Sequence, residues 1–417
     1  MIFWSLVVFI VLIIVRPQEF IRPLAGLPLV ALAMGLLAIG FLLSSSRKKL
    51  LKTSSDKFVA LFFISMLAST ITVHWLSYTF QIVIETLQMA VAYYLVVTLA
   101  NNESRVKTMT WVLVACLAVV AGMGVLQYYG WDITGTGMLW ANDKGVWQIR
   151  GIGIFDNPND LAYSVVMVMP FALGLLFRSK SVSHRILSLV FLGVVAYAIW
   201  LTRSRGGLLC LVFSIVLWLY FWIEKKSFRR IVAAVGIIVV IATAVSLAGG
   251  YRQDESSMER LEAWAAGMDM LKTHPLIGVG KNQFIEHHYR DSHSSFIRSS
   301  AELGLIGLYA WLGMVYCSVI SVRWIMRKGA PPEWKGYATG YAVYIPIYLT
   351  ASVFSTRTYD MVFLLVVALV SASERLFAAK ATQTGETPAR VKILNKNIGL
   401  LTVGVLVVLK LFLMHAW

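Results

Sequence analysis

Charged residues and cysteines are both scarce in this sequence. Asp, Glu, Lys and Arg make up 14% of its 417 residues, whereas about a quarter is typical of soluble globular domains. The three cysteines, Cys116, Cys210 and Cys317, lie in apolar runs without the spacing of a disulfide framework or a zinc site. These shortages argue against an ordinary soluble domain, a disulfide-stabilised scaffold and a zinc-binding module.

Several catalytic and transport signatures are also missing. The sequence has no phosphate-binding loop of the Gly-x4-Gly-Lys-Ser/Thr form, so nothing indicates ATP use. It has no serine nucleophile elbow and no internal repeat. Ionisable residues within the apolar runs are few, with Glu85 and Lys410 the clear cases, and they are too sparse for an ion path.

Long apolar runs dominate the sequence. Hydrophobic residues make up 58% of it, and the mean hydropathy is +0.73. Runs of about 18 to 20 residues, enough to cross a hydrocarbon core, recur from end to end. The predicted fold class is all-α: a polytopic membrane helix bundle, with residues 1–417 forming one integral membrane domain. About 12 or 13 spans are predicted. They lie near 1–15, 24–43, 58–76, 80–100, 108–128, 160–177, 186–202, 207–223, 231–249, 299–322, 336–354, 359–374 and 397–415.

The net charge of +16 arises from an uneven distribution of Lys and Arg. Most basic residues fall in loops on one predicted side, for example 47–57, 225–230 and 375–396, which is the positive-inside pattern. The basic excess therefore indicates topology and no nucleic-acid partner, and it places the N-terminus inside. The first apolar run lacks a preceding charge and a cleavage site, so it is interpreted as a retained span. The external segments are then 16–23, 77–79, 129–159, 203–206, 250–298 and 355–358.

The polar stretch 250–304 is the longest interruption of the apolar pattern, and 250–298 is predicted to be an external insertion. Ser256 or Ser257 is predicted to cap a helix that runs to about Lys272, before His274-Pro275 ends it. Gly278 and Gly280 then allow a tight turn. The helix lies on the membrane surface or packs on the bundle, because apolar residues recur at helical spacing: Met258, Leu261, Trp264 or Ala265, Met268 and Leu271.

Candidate site residues come from both long external segments and from the short segment 203–206. Arg203 and Arg205 stand at an outer membrane boundary, where a guanidinium suits bidentate contact with phosphate or snorkels to lipid headgroups. In the segment 129–159, Asn159 or Asp160 either caps the next span or contacts substrate. Arg260 is a further phosphate candidate, or a solvated charge beside Glu259 and Glu262.

His293 is the candidate for proton transfer, because histidine exchanges a proton near neutral pH. Its alternative is a polar loop residue, and His287 and His288 compete for the same role. No paired carboxylates accompany these histidines, so no metal site is predicted. External arginines with a histidine suit a lipid-embedded substrate, whose pyrophosphate leaving group the arginines hold while a base activates an attacking hydroxyl.

The sequence resembles the bacterial O-antigen ligase and polymerase superfamily, and lipopolysaccharide O-antigen ligases most. The resemblance spans most of the chain and is carried by residues 150–159, residues 202–207, Arg260 with Trp264, residues 274–280 (HPLIGVG), and His293 followed by residues 301–307 (AELGLIG). Where the family commonly has His-Asn, this chain has His293-Ser294.

The resemblance implies transfer of a glycan from undecaprenyl pyrophosphate to the lipid A–core oligosaccharide, on the periplasmic side of the bacterial inner membrane. It implies an inverting glycosyltransferase that needs neither cofactor, metal nor ATP and that has membrane lipids around it. Arg205 and Arg260 would bind the pyrophosphate and His293 would activate the acceptor hydroxyl, with Arg203, Arg298 and Asn159 as further substrate contacts. Polymerisation of repeat units and glycan transfer to a protein hydroxyl remain alternatives, as do a lipid or solute transporter and a structural scaffold.

Overall fold

The protein is almost entirely helical in the computed structural model, which describes residues 2–43, 51–73, 75–135, 137–141, 145–151, 155, 157–179, 181–223, 225–234, 236, 238, 255–327, 332–381, 388 and 390–416. The α-helices are α1 (Ile2–Ile14), α2 (Leu29–Leu43), α3 (Ser54–Ala68), α4 (Leu76–Leu99), α5 (Glu103–Tyr128), α6 (Pro158–Arg178), α7 (Val182–Thr202), α8 (Arg205–Trp222), α9 (Glu255–Thr273), α10 (Phe284–His287), α11 (Ser295–Arg327), α12 (Pro332–Phe354), α13 (Met361–Ala381) and α14 (Lys396–Ala416). Residues 226–234 are also helical, and 3-10 turns occupy Pro17–Glu19, Arg22–Leu24 and Ser69–Thr72.

The predicted fold class, a polytopic all-α membrane protein, is confirmed. Within the described residues, nine helices are long and apolar enough to cross a membrane, and two shorter apolar helices lie at Ile2–Ile14 and Leu29–Phe41. The predicted span 231–249 falls largely outside the described residues, so the count of 12 or 13 stays a prediction. The single-domain assignment also stays a prediction.

A small β-hairpin, which the all-α prediction does not include, interrupts the helical pattern between α5 and α6. Strand β1 (Leu139–Ala141) pairs antiparallel with β2 (Val146–Gln148). Trp140 lies opposite Trp147, and the ring centroids are 5.2 Å apart in an edge-on arrangement. Cross-strand aromatic pairs of this kind stabilise short hairpins.

The chain divides into two compact units. Unit 1 comprises Met1–Lys48, Leu95–Val239 and Val322–Ala351, and unit 2 comprises Lys49–Tyr94, Val240–Ser321 and Ser352–Trp417. In unit 1, α6 is buried along most of its length, as a helix that is apolar on every side requires. Its Gly174 lies against Gly336 of α12, where an added Cβ would come 2.8 Å from the Gly336 carbonyl oxygen. Small residues allow this close backbone contact between helices.

Unit 2 contains a helix that is broken within an apolar segment. Helix α11 leaves helical geometry at Gly304, which has φ 64° and ψ −163°. The break frees backbone groups that must find other partners, because no water hydrogen-bonds them in an apolar layer. The apolar pattern predicts one uninterrupted span at 299–322. The glycine explains the difference, since only glycine adopts this conformation at little cost.

The loop 275–280 supplies those partners. The amides of Val279 and Gly280 donate to the carbonyls of Ala301 and Glu302 at 2.9 and 3.1 Å, and the amides of Leu305 and Ile306 donate back to the loop carbonyls at 2.8 and 3.3 Å. Gly278 allows the approach, because a Cβ there would come 2.2 Å from the Glu302 carbonyl carbon. The two glycine-rich motifs of the sequence therefore form one structural joint.

Helix α9 agrees with the prediction at its end and differs at its start. It ends at Thr273, directly before His274-Pro275. Its first described residue is Glu255, and Ser256 and Ser257 are already helical, so neither lies at an N-cap position. Its apolar stripe packs within unit 2, because Leu261 and Trp264 are buried in a cluster with Phe284 and Ile297. At the start of the stripe, Met258 is exposed.

We predict that Gly278→Ala destabilises the protein by about 2 kcal/mol or more, because the added methyl group meets backbone and the residue has φ 72°. Thermal unfolding of the purified protein measures the change. Gly399→Ala in α14 is the matched control, since no atom lies within 4 Å of the added Cβ. An unfolding midpoint for Gly278→Ala equal to that of the control would disprove the proposed joint.

Candidate functional site

The junction between α7 and α8 in unit 1 presents two of the predicted arginines. Arg203 ends α7 in a left-handed conformation, with φ 52°, and its guanidinium lies 4.9 Å from the Trp200 ring centroid. Arg205 is the first residue of α8 and is exposed. Within the described residues, no carboxylate pairs with Arg205. Its guanidinium is therefore available to an anion.

A hydrogen bond between Ser204 and Asn159 connects this junction to α6. The Ser204 hydroxyl donates to Oδ1 of Asn159 at 2.6 Å and accepts from the Gly207 amide at 3.0 Å, so Ser204 caps α8. The cap of α6 is Asn157, whose side chain accepts from the Asn159 amide at 2.8 Å. The expectation that Asn159 or Asp160 caps this helix is therefore wrong, because Pro158 already begins it.

The two glycines that follow Arg205 allow α8 to start against α6. A Cβ on Gly206 would come 2.0 Å from the Tyr163 hydroxyl, and one on Gly207 would come 2.5 Å from Cβ of Ala162. This tight packing fixes the first turn of α8, where Arg205 lies. The Thr-Arg-Ser-Arg-Gly-Gly sequence is thus a structural unit that holds two cationic side chains at a helix junction.

A cavity of about 420 Å³ lies beside the arginines. It is lined by Arg203, Arg205, Trp200, Leu208 and Val146 of the hairpin. Two guanidiniums among apolar walls suit an amphiphilic anion, such as a lipid carrying phosphate.

Asp132 organises the loop between α5 and the hairpin. Its carboxylate accepts from the amides of Thr134, Gly135 and Gly137 at 2.9 to 3.1 Å. Partial burial raises the pKa of Asp132, but the hydrogen bonds from Thr134 and Gly137 outweigh it and hold the pKa below its usual value. Arg150 donates from Nε to the Gly137 carbonyl at 3.2 Å, so this loop also engages the first residue of the 150–159 motif.

In unit 2, Arg260 lies on α9 and is half-buried. Its two acidic neighbours have other partners, since Glu259 forms an ion pair with Arg290 and Glu262 accepts from the Tyr289 hydroxyl at 3.3 Å. No ion pair holds Arg260 within the described residues. Both interpretations of Arg260, a phosphate contact and a solvated helical charge, therefore stay open, and its two acidic neighbours do not neutralise it.

His293 is held in a strained loop directly before α11. It has φ 46°, a left-handed conformation that few residues other than glycine adopt. The carbonyl of Ser292 accepts from Nε1 of Trp264 at 2.8 Å, and the carboxylate of Asp291 accepts from Arg298 at 3.3 Å and from Thr356 at 2.5 Å. Trp264 lies one turn after Arg260 on α9. The structure therefore attaches the helix that carries Arg260 to the loop that carries His293.

Glu302 is the centre of a buried polar network in α11. Its carboxylate accepts from the amides of Asn282 and Phe284 at 2.9 and 3.2 Å, from Nε of Arg298 at 3.0 Å and from the Tyr359 hydroxyl at 2.7 Å. Arg298 is thus engaged by two carboxylates, those of Glu302 and Asp291.

Lys281 and Glu85 extend this network and were not predicted as site residues. Lys281 is buried, forms an ion pair with Glu85 and lies 4.9 Å from the Tyr359 ring centroid. The signal in the sequence was Glu85 itself, because a lone carboxylate within an apolar span needs a cationic partner. The partner lies almost 200 residues further along the chain, so sequence spacing did not reveal it.

The structure therefore assembles the predicted site residues as two sets. One set, in unit 1, consists of Asn159, Arg203 and Arg205 around Ser204. The other, in unit 2, consists of Arg260, His293 and Arg298. That the two sets serve one substrate stays a prediction.

The competing histidines have different surroundings. His287 is exposed on the short helix α10. Nδ1 of His288 lies 3.0 Å from the Arg290 carbonyl oxygen. Among the described residues, no group of three or more His, Cys, Asp or Glu side chains is arranged to hold a metal ion.

The helices and sites together define a multi-pass membrane protein with cationic groups presented at helix ends. Residues 188–312 match a family model described as O-antigen ligase, which confirms the resemblance to the O-antigen ligase and polymerase superfamily. The matched stretch contains Arg203, Arg205, Arg260, His293 and Arg298 but not Asn159. A search among curated proteins finds no match to the chain. The family match supports a function of the O-antigen ligase or polymerase type.

We predict that Trp264→Phe loosens the His293 loop, because it leaves the buried Ser292 carbonyl without its donor at a cost of about 1 to 3 kcal/mol. Hydrogen exchange of the amides at 290–295 measures the effect, which should be faster exchange there. Phe412→Leu is the control, since it removes the ring that packs 5.7 Å from Trp264 and keeps the hydrogen bond. Equal exchange in the two variants would contradict the role of the indole N–H.

Proposed function

We propose that this protein is a lipopolysaccharide O-antigen ligase. It transfers a glycan from undecaprenyl pyrophosphate to the lipid A–core oligosaccharide, on the periplasmic side of the bacterial inner membrane. The observation that carries the proposal is the match of residues 188–312 to the O-antigen ligase family, because that stretch contains the arginines and the histidine that suit this chemistry.

In this reaction a hydroxyl of the acceptor attacks the anomeric carbon of the glycan. The bond from that carbon to the pyrophosphate oxygen breaks, with inversion, and the pyrophosphate leaves on its lipid. His293 takes the proton of the hydroxyl as general base. The donor is already activated by its linkage to pyrophosphate, so the proposed reaction uses neither ATP nor a metal ion.

Arg205 and Arg260 bind the pyrophosphate in this proposal. Its support is that neither guanidinium is paired with a carboxylate of the described residues, while the acidic neighbours of Arg260 are paired elsewhere. Charge-assisted hydrogen bonds to phosphate oxygens would stabilise the negative charge that develops on the leaving group. Arg203 would add a second guanidinium beside Arg205, and Asn159 would hold the junction through Ser204.

The proposed role of Arg298 differs from that of the other arginines. The family resemblance implies a substrate contact for Arg298, but its donors are directed at Glu302 and Asp291. We propose that Arg298 is a positioning residue, which holds the loop before α11 and thereby the backbone of His293. Any contact of Arg298 with the substrate itself stays a prediction.

We predict that Arg205→Ala and Arg260→Ala each weaken binding of the lipid-linked donor by roughly 10- to 150-fold, as expected for the loss of one charge-assisted hydrogen-bonding group. Titration of the purified protein with donor measures this. Lys225→Ala and Lys272→Ala are matched controls, since both side chains are exposed and neither belongs to the proposed site.

The double variant of Arg205 and Arg260 examines whether both residues act on one donor. Side chains that contact the same pyrophosphate should show a coupling free energy above about 0.5 kcal/mol, whereas independent sites give additive effects. Normal donor binding in both single variants would remove the pyrophosphate assignment.

We predict that His293→Asn lowers glycan transfer by about 10²- to 10⁴-fold and leaves donor binding unchanged, because the base is lost. Asparagine is the informative replacement, since it tolerates the left-handed backbone that alanine would strain. His287→Ala is the control and should keep full activity. Product is identified by mass spectrometry with lipid A–core, glycan or protein acceptors present. Undiminished transfer by His293→Asn would exclude His293 as the base.

A further inference from the structure

Besides the cavity at Arg203 and Arg205 in unit 1, a cavity lies in unit 2, and none of the candidate site residues lines it. Its volume is about 750 Å³. It lies between the start of α3, the last turns of α13 and the linker that follows α13. Four cationic residues line it, Lys52, Lys57, Arg375 and Arg390, with Glu374 as the one carboxylate of the described lining.

The cavity lies at the opposite end of unit 2 from the His293 loop. Helix α3 starts at the cavity, and the Ser69 hydroxyl at its far end accepts from the Lys281 amide at 3.1 Å. At 1.5 Å per residue, that distance along the helix is about 22 Å. Helix α13 gives a second estimate, because it begins just after Tyr359 and lines the cavity from Glu374 to Ala379, about 20 to 27 Å along its axis. These lengths approach the thickness of a hydrocarbon core, about 30 Å.

The charges at the cavity leave a positive excess. Asp56 is fully buried and accepts from Arg375 at 2.6 Å, from the Tyr93 hydroxyl at 2.8 Å and from the Thr53 amide at 2.7 Å. The Asp56 carboxylate is therefore satisfied, and it offsets the charge of Arg375. Lys52, Lys57 and Arg390 form no ion pair with described residues, and they outnumber Glu374, which accepts from the Ser321 hydroxyl.

The described wall of the cavity is partly apolar. At the described end of the linker, the side chain of Val391 is buried and its amide donates to the Ser54 hydroxyl at 2.8 Å. Leu51, Ala378 and Ala379 contribute apolar surface to the lining. A soluble anion would use only the cations, whereas an amphiphile would use both kinds of surface.

We propose that this cavity binds the phosphate headgroup of an anionic phospholipid, from the leaflet opposite the His293 loop. The cations contact the phosphate, and the apolar wall receives the glycerol and the start of the acyl chains. Basic pockets between membrane helices recognise anionic headgroups in this way, and the excess of Lys and Arg on this side agrees with an anionic leaflet. The inference does not depend on the proposed ligase reaction.

Lipid titration of the delipidated full-length protein in detergent, followed by native mass spectrometry, tests this proposal. One phosphatidylglycerol should bind at least about tenfold more tightly than phosphatidylcholine. The triple variant Lys52→Gln, Lys57→Gln and Arg390→Gln should lose at least about tenfold of that affinity, since each basic group near a membrane surface contributes. Arg375 is left intact because it pairs with Asp56.

The matched control removes the same charge elsewhere. Lys225→Gln, Lys226→Gln and Lys335→Gln alter exposed residues of unit 1 and should change the affinity less than about twofold. An equal loss in the control, or equal binding of phosphatidylcholine, would overturn the proposal. Displacement of the lipid by millimolar inorganic phosphate would also overturn it, and would assign the cavity to a soluble phosphate. If the triple variant does not fold, the single variant Arg390→Gln is titrated instead. A loss of phosphatidylglycerol affinity in it supports the proposal, and an unchanged affinity overturns it.

Discussion

The backbone joint between the loop 275–280 and the break at Gly304 is the constraint on which unit 2 depends. An interrupted helix in an apolar layer is stable only if every freed amide and carbonyl finds a partner. Here four hydrogen bonds between the loop and α11 satisfy them. The loop must therefore approach α11 closely, and that approach brings Asn282 and Phe284 to the carboxylate of Glu302.

The polar network follows from this joint. Glu302 is buried beside the broken turn, so its charge requires several donors and a cationic partner. Asn282, Phe284, Arg298 and Tyr359 provide them. Arg298 in turn holds Asp291, two residues before His293. The left-handed backbone of His293 is thus maintained by contacts on both sides of it, which is how a strained conformation persists in a folded protein.

The two units present their cations by different means. In unit 1 a serine cap and two glycines hold Arg205 at a helix start, where α8 packs against α6. In unit 2 an indole hydrogen bond attaches the helix of Arg260 to the loop of His293. The lipid cavity that we propose depends on neither arrangement, because it lies where α3 begins and α13 ends.

The sequence by itself determined the fold class, most helix boundaries and the end of α9 at His274-Pro275. It could do so because hydropathy and proline act locally: a long apolar run has few alternatives to a membrane helix, and proline stops a helix wherever it falls. The cap at Asn157 was missed because several adjacent residues have capping side chains, and only the backbone chooses among them.

Only the tertiary structure decided the long-range pairs. Lys281 with Glu85, Tyr359 with Glu302 and Arg375 with Asp56 join residues far apart in the chain, and a lone charge in a span does not say which partner it will meet. The break at Gly304 has the same origin. Glycine permits the conformation, but the partner loop alone makes the interruption stable, because it supplies the hydrogen bonds that the helix gives up.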